Sequence, residues 1–157
     1  MSAENGVTRR DVLRHAGAAT LAIAVVRPPI GEAESAPAAM QEAIRKIVGD
    51  AKINPGKVKL DVPPLVDNGN VVGCAVTVDS PMTAADHVKA IHIVNEKNPQ
   101  ANVISVRLGP RAGTPAIATR IRLADTQEIM AIAELSDGSF WSDRANVIIT
   151  LGACLED

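Results

Sequence analysis

Aromatic side chains are almost absent from this sequence, which has one Phe, one Trp and no Tyr among 157 residues. Single-stranded nucleic acids bind proteins largely by stacking bases on such rings, so this mode of binding is excluded. An excess of positive charge is also lacking, because 16 Lys and Arg against 18 Asp and Glu give a net charge of -2. Duplex nucleic acid needs a basic surface for its phosphates. Nucleic acid is therefore not an expected partner.

Cysteine is scarce as well, and the sequence has no catalytic motif. Cys74 and Cys154 are the two cysteines, too few for a disulfide framework and without the spacing of metal ligands. His87 and His92 are five residues apart and would face opposite sides of one strand, so they cannot bind a metal together. The glycine-rich segment 109–113 contains Pro110, which lacks the backbone donor that a phosphate-binding loop uses. We therefore expect no catalytic residues, no metal site and no stably bound cofactor.

The N-terminal segment has the pattern of an export signal. Arg9 and Arg10 form a twin arginine just before the apolar run 16–26, which is the order of a charged region and a hydrophobic region in a signal peptide. The run has about eleven residues, whereas a membrane span needs about 20. Small residues at Ala33 and Ser35 suit cleavage after Ser35, with 36–38 as an alternative. We expect residues 1–35 to be a twin-arginine signal peptide and the mature chain to be periplasmic, with no membrane attachment after cleavage.

The mature chain has the pattern of one small domain in which strands follow a short helix. Met40, Ile44 and Val48 have helical spacing, which predicts a helix over 38–48 that ends at Gly49. Residues 36–56 would form this helix and a linker. The remaining sequence alternates runs rich in Val and Ile with turn residues. Seven strands are predicted, over 58–62, 71–79, 87–96, 102–108, 116–124, 128–135 and 139–151. Short strands at this regular spacing predict an all-β fold, an antiparallel sandwich over 57–151.

Local patterns within these runs predict two turns and the position of Cys74. Segments 67–70 and 137–138 combine Asp, Asn and Gly and are predicted to be hairpin turns. Cys74 alternates with Val72, Val76 and Val78 on one face of its strand. A free cysteine in such a position behaves as a small hydrophobe. Cys74 is therefore expected to be buried and inert, and a disulfide with Cys154 is the alternative that an oxidising periplasm permits.

Cys154 follows the last predicted strand, which ends near Thr150 or Leu151. Gly152 and Ala153 continue past that strand, so residues 152–157 are predicted to form an arm that carries the thiol at most about 14 Å from the body. A catalytic nucleophile is normally held rigidly beside a base and an oxyanion donor. A mobile thiol instead suits delivery to the active sites of other proteins, although a surface cysteine without a role fits the same position.

Three longer segments make the chain resemble the SoxY family, the carrier subunits of the periplasmic sulfur-oxidising system. They are DSPMTAADHVKAIHIVNEKNPQANV at 79–103, LGPRAGTPAIATRIRLADTQEIMAIAEL at 108–135 and SDGSFW at 136–141. The resemblance implies an immunoglobulin-like β-sandwich, a heterodimer with a SoxZ-like subunit and covalent attachment of thiosulfate-derived sulfur to Cys154. It also implies three transient partners. SoxAX is a haem enzyme that conjugates thiosulfate to the thiol, and SoxB is a dimanganese hydrolase that releases sulfate. The third partner is a sulfane dehydrogenase. The chain would be a carrier and not itself an enzyme.

The tail departs from the family pattern, in which the cysteine is flanked by two glycines on each side. Here Ala153 precedes Cys154, and Leu155, Glu156 and Asp157 follow it. Nearby negative charges disfavour the thiolate, so we expect the acidic tail to raise the thiol pKa by roughly one unit. A divergent carrier that serves different enzymes therefore stays open. Two functions of another class also fit the sequence: an immunoglobulin-like binding or structural module with a structural cysteine, and a thiol enzyme such as a peroxidase.

Overall fold

The computed structural model describes residues 36–153. The expected export signal with Arg9 and Arg10, and the expected carrier residue Cys154, lie outside the described residues. The described part begins with helix α1, Ala36–Val48. Its Met40 and Ile44 are buried, which confirms the predicted apolar face. Gly49 ends the helix with φ +61° and donates its amide to the Arg45 carbonyl at 2.8 Å, a left-handed cap that glycine adopts without strain.

Nine strands follow the helix in the described residues. They are β1 Ile53–Pro55, β2 Val58–Asp61, β3 Leu65–Val66, β4 Val72–Val78, β5 Val88–Asn95, β6 Asn102–Arg107, β7 Ala116–Ile121, β8 Gln127–Leu135 and β9 Phe140–Ile149. All seven predicted runs form strands, with ends that differ from the prediction by at most three residues. The short strands β1 and β3 were not predicted, because runs of two or three residues carry no alternation that a sequence pattern can reveal.

The strands form two sheets that enclose one apolar core. The larger sheet has the order β1-β9-β8-β5-β6, with β3 also paired to β9, and the smaller sheet has the order β2-β4-β7. Most pairs are antiparallel, but β1 and β3 both run parallel to β9. The core consists of Val, Ile, Leu and Ala side chains, together with Cys74, from the facing sides of both sheets. The all-β sandwich with a short N-terminal helix is therefore confirmed, with two short parallel pairings added to it.

Helix α1 covers the outer face of the larger sheet. Met40 and Ile44 pack there against Val94, Met130 and Ile132. These sheet residues point away from the main core because alternate side chains of a strand face opposite sides. The helix thus gives β5 and β8 a second buried face, which explains their nearly continuous apolar sequences.

One of the two predicted hairpin turns forms a hairpin, and the other connects the two sheets. Residues 137–138 form the hairpin between β8 and β9, where Glu134 pairs with Phe140 and Gly138 has φ +80°. Residues 67–70 do not form a hairpin, because β3 before them belongs to the larger sheet and β4 after them to the smaller one. Asp and Gly mark a sharp change of direction in both cases. Only the pairing of distant strands decides whether that change closes a hairpin or crosses between sheets.

A side chain also joins the two sheets at one edge. The Asp143 carboxylate on β9 accepts the backbone amide of Leu60 on β2 at 2.9 Å. It satisfies a donor at the edge of the smaller sheet that would otherwise lack a ladder partner. Within the described part of the chain, no helix has both the length and the apolar character needed to cross a membrane.

Candidate functional site

Cys74 lies in the middle of β4 and points into the core. It is a free thiol, 3% exposed, between Val72 and Val76 on the same face. Burial, with a smaller contribution from the negative charge of Asp61, raises the pKa of this thiol from 9.0 to about 11. The thiolate is the reactive form of cysteine. The prediction that Cys74 is buried is thus confirmed, and its environment suppresses its chemistry.

Three backbone hydrogen bonds hold the chain just before Cys154 against the sandwich, and we call them the tail clip. Gly69 donates its amide to the Leu151 carbonyl at 2.8 Å. The Gly69 carbonyl accepts the Leu123 amide at 2.8 Å, and the Leu123 carbonyl accepts the Ala153 amide at 3.0 Å. Three distant segments are thereby joined, so the clip forms only when the sandwich is complete.

The tail clip requires glycine at two positions. A Cβ atom on Gly69 would lie 2.2 Å from the Leu123 carbonyl oxygen, and one on Gly152 would lie 2.1 Å from the Ala124 carbonyl oxygen. Both distances are far below van der Waals contact, and both involve backbone atoms that cannot turn aside. These glycines therefore serve the close approach of backbone to backbone.

The docking of Gly152 and Ala153 differs from the free arm expected at these positions. Ala153 is 9% exposed and bonded to Leu123. The expectation was wrong because it assumed that the chain makes no contact with the sandwich beyond the end of the last strand. Strand β9 does end at Ile149, but the chain beyond it finds partners in two loops. Within the described residues, the chain is therefore held against the sandwich as far as Ala153.

Exposed apolar side chains lie next to the tail clip. Leu65, Ile148 and Leu151 are 59%, 55% and 63% exposed, and we call them the tail-base patch. Leu65 and Ile148 are opposite each other in the parallel pairing of β3 with β9. Leu151 belongs to the clip itself, since its carbonyl accepts the Gly69 amide. Large apolar residues exposed together commonly mark an interaction surface.

A polar groove of about 670 Å³ lies between α1 and the outer face of β5 and β6. His92 and Ser105 meet there, with 2.8 Å between His92 Nδ1 and Ser105 Oγ. Burial lowers the pKa of His92, Glu134 opposes this effect, and Arg107 adds to it. The groove contains no cysteine and is formed by the helix side of the larger sheet.

His87 precedes β5 and is not on the same strand as His92. Its Nδ1 atom is buried without a hydrogen-bond partner among residues 36–153, and so are both polar atoms of the Asn95 carboxamide. Asn95 is 0% exposed, and no sequence pattern identified it because it is a single polar residue at the end of its strand. Over the same described range, no group of three or more His, Cys, Asp or Glu side chains is arranged to hold a metal ion.

Known proteins of similar fold include two functional classes. The sulfur carrier protein SoxY from Chlorobium limicola f thiosulfatophilum has a TM-score of 0.61 and 22% identity, over 71% of this chain and 96% of that one. A superoxide reductase (neelaredoxin) from Ignicoccus hospitalis has a TM-score of 0.53 and 19% identity, over 60% and 80% of the two chains. A putative superoxide reductase from Thermotoga maritima has a TM-score of 0.52 and 17% identity, over 62% and 87%. At these identities the likeness establishes the immunoglobulin-like sandwich and not the activity.

Comparison by sequence is more specific than comparison by fold. No curated protein sequence matches the chain. The family model for the sulfur oxidation protein SoxY matches residues 44–154, which is most of the chain and includes both cysteines. Because the match spans the whole sandwich and extends through Cys154, this chain belongs to the SoxY family of sulfur oxidation proteins, whose members are sulfur carriers.

Proposed function

We propose that this protein is a periplasmic sulfur carrier that holds thiosulfate-derived sulfur covalently on Cys154 and presents it to partner enzymes. The SoxY family match supports this proposal, and it ends at Cys154 itself. The protein would act as a substrate-bearing subunit and not as a catalyst. Its only attached group would be the sulfur compound in transit.

The observation that carries the proposal is the burial of the other cysteine. With a pKa of about 11, Cys74 would be ionised in roughly one molecule in 10,000 at neutral pH. Its position among core valines also excludes a reagent from its sulfur. A sulfur compound attached through a thiol would therefore need Cys154.

The loading chemistry joins the thiol to the outer sulfur of thiosulfate. Cys–SH and S₂O₃²⁻ give Cys–S–S–SO₃⁻, one proton and two electrons, and the conjugating enzyme passes the electrons to its acceptor. Hydrolysis then breaks the bond between the sulfane sulfur and the sulfonate. Water supplies the oxygen, the products are Cys–S–SH, sulfate and one proton, and no electrons are transferred. The carrier supplies only the thiol in both steps.

A SoxZ-like subunit is proposed as the stable partner, with SoxAX, SoxB and a sulfane dehydrogenase as transient ones. Strands β2, β6 and β7 lie at the ends of the two sheet orders. Edge strands carry unpaired backbone donors and acceptors that a second chain can use. These edges support a heterodimer of two β-sandwiches, in which each chain covers part of the other.

The proposed site of action is the periplasm. The twin arginine at Arg9 and Arg10, followed by the apolar run 16–26, supports export by the twin-arginine pathway. Replacing both arginines with lysine should keep the precursor inside the cell. Fractionation and N-terminal sequencing of the exported chain would test the location separately from the carrier chemistry.

Intact-mass spectrometry of two single-cysteine variants tests the carrier function. The chain would be incubated with thiosulfate, a SoxAX-type conjugating enzyme and an electron acceptor. Cys154→Ser should take up no sulfur, whereas the matched control Cys74→Ser should be loaded like the unaltered chain. Circular dichroism would verify that both variants fold.

Two results would favour a different function or a different thiol. Loading that persists in Cys154→Ser and disappears in Cys74→Ser would reject the assignment of the carrier thiol. A chain that takes up no sulfur from any conjugating enzyme would instead support the binding or structural module with a structural cysteine.

A further inference from the structure

The tail-base patch is exposed although similar residues elsewhere in the fold are covered. On the outer face of the larger sheet, α1 covers Met130 and Ile132. Ile148 lies on that same face of β9, since alternate residues from Arg144 onward share it, but it remains 55% exposed. Its neighbour Leu65 on β3 is 59% exposed. The helix thus leaves uncovered the end of the sheet that lies nearest to the tail clip.

We propose that the tail-base patch is the surface on which an enzyme that acts on the Cys154 thiol docks; this inference rests on the proposed carrier function. The partner would be a sulfur-oxidising enzyme whose active-site opening is bordered by apolar side chains. Beyond that border it would carry basic groups, because Glu156 and Asp157 bring two negative charges close behind the cysteine.

The short length of chain between the tail clip and the thiol supports this partner. Ala153 is hydrogen-bonded to Leu123 and buried, and Cys154 is the next residue in the chain. Covalent geometry keeps the thiol within roughly 7 Å of the Ala153 Cα while the clip is closed. An enzyme that takes this thiol into its active site must therefore approach the sandwich surface around Ala153 itself.

The usual area of a protein interface is large enough for the contact between the enzyme and the surface around Ala153 to include the tail-base patch. A specific interface covers roughly 800 Å² on each partner. Leu151 is only two residues from Ala153, and its carbonyl is part of the tail clip. Ile148 is three residues further back, and Leu65 lies opposite it at the usual spacing of neighbouring strands, about 4.8 Å. A contact of this size that includes the surface around Ala153 has room for all three side chains.

Exposed apolar side chains at the centre of such a contact contribute more to binding than polar ones at its border. A charge placed among them should therefore weaken docking without changing the thiol. Ile148→Glu is the test variant. Thr77→Glu is the matched control, since it introduces the same charge at an exposed position of β4, the central strand of the smaller sheet.

The experiment measures enzymatic loading and chemical reactivity on the same proteins. With thiosulfate and a purified conjugating enzyme, kcat/KM for loading should fall roughly tenfold or more in Ile148→Glu and stay unchanged in Thr77→Glu. Alkylation of the thiol by a small neutral reagent should proceed equally in all three proteins. A Leu65→Ser, Ile148→Ser double variant should show the same loss of loading without the added charge.

Three outcomes would overturn the inference in different ways. Equal loading of Ile148→Glu and the unaltered chain would reject the docking surface and leave the carrier function intact. A loss of loading that accompanies loss of the SoxZ-like subunit in size-exclusion chromatography would assign the patch to that subunit. An unaltered chain that takes up no sulfur would reject the carrier function and the docking surface together.

Discussion

Replacing Gly152 with alanine should release the chain just before Cys154 from the sandwich. The added Cβ atom would lie 2.1 Å from the Ala124 carbonyl oxygen. This distance is about 1 Å shorter than the normal closest approach of carbon and oxygen. Backbone lies on both sides of this contact, so no side chain can rotate to relieve it. The segment 151–153 would have to move away.

The expected energetic effect follows from what that movement removes. The hydrogen bond from Ala153 to the Leu123 carbonyl contributes about 0.5–1.5 kcal/mol. Exposing the Ala153 methyl group, now 9% exposed, adds about 0.8 kcal/mol. The free energy that holds the segment closed should thus fall by about 1.3–2.3 kcal/mol. The rest of the sandwich should be much less affected, because the core contacts do not pass through this segment.

Hydrogen exchange of the Ala153 amide measures that local free energy directly, and its exchange should be about 10- to 50-fold faster in Gly152→Ala. Gly73→Ala is the control: a Cβ there meets no atom within 4 Å, and alanine in a strand is about 0.5–1 kcal/mol more favourable than glycine. This variant should be slightly stabilised, with Ala153 exchange unchanged. If Gly152→Ala leaves Ala153 protected, the steric reasoning about the tail clip is wrong.

Four further changes test other parts of the structure. The pKa of Cys74 is raised from 9.0 to about 11 in the fold, so the unfolded chain loses this proton at lower pH than the folded chain does. The free energy of unfolding should therefore fall between pH 9 and 11, by up to about 2.7 kcal/mol. Urea titrations at several pH values should show a smaller fall in Cys74→Ala. Asp143→Ala removes the acceptor for an amide at the edge of the smaller sheet and should lower the free energy of unfolding by about 1–3 kcal/mol in calorimetry. Asn95→Leu replaces a fully buried carboxamide that has no protein partner among the described residues and should raise the free energy of unfolding by about 1 kcal/mol in the same assay. Glycine in place of Glu156 and Asp157 should make the carrier thiol react several-fold faster with a neutral alkylating reagent near pH 7, since two like charges that disfavour the thiolate are removed; an unchanged rate would show that the tail charges are screened.

Much of the fold follows from local sequence pattern. The helix face of Met40 and Ile44, the alternation around Cys74 and the Asp137-Gly138 hairpin depend on residues close in sequence, and each was predicted with the correct structure. Cys74 could be assigned to the core because alternation with valines determines its face whichever strands pair with its own. The same holds for Cys154 as a candidate site, since it stands apart from every strand pattern.

The parts that sequence alone could not provide depend on segments far apart in the chain. Strand β3 has two residues and exists because β9 pairs with it. Residues 67–70 cross between the sheets because β3 pairs with β9, whereas β4 pairs with β2 and β7. The tail clip is the clearest case: Gly69, Leu123 and Ala153 show no pattern that links them, and their hydrogen bonds exist only once both sheets have closed. The sequence by itself determined the sandwich, the buried cysteine and the position of the candidate carrier cysteine, because periodicity and composition are local properties. Only the tertiary structure decided that the chain is anchored up to Ala153 beside an exposed apolar patch, because that depends on backbone contacts between distant segments.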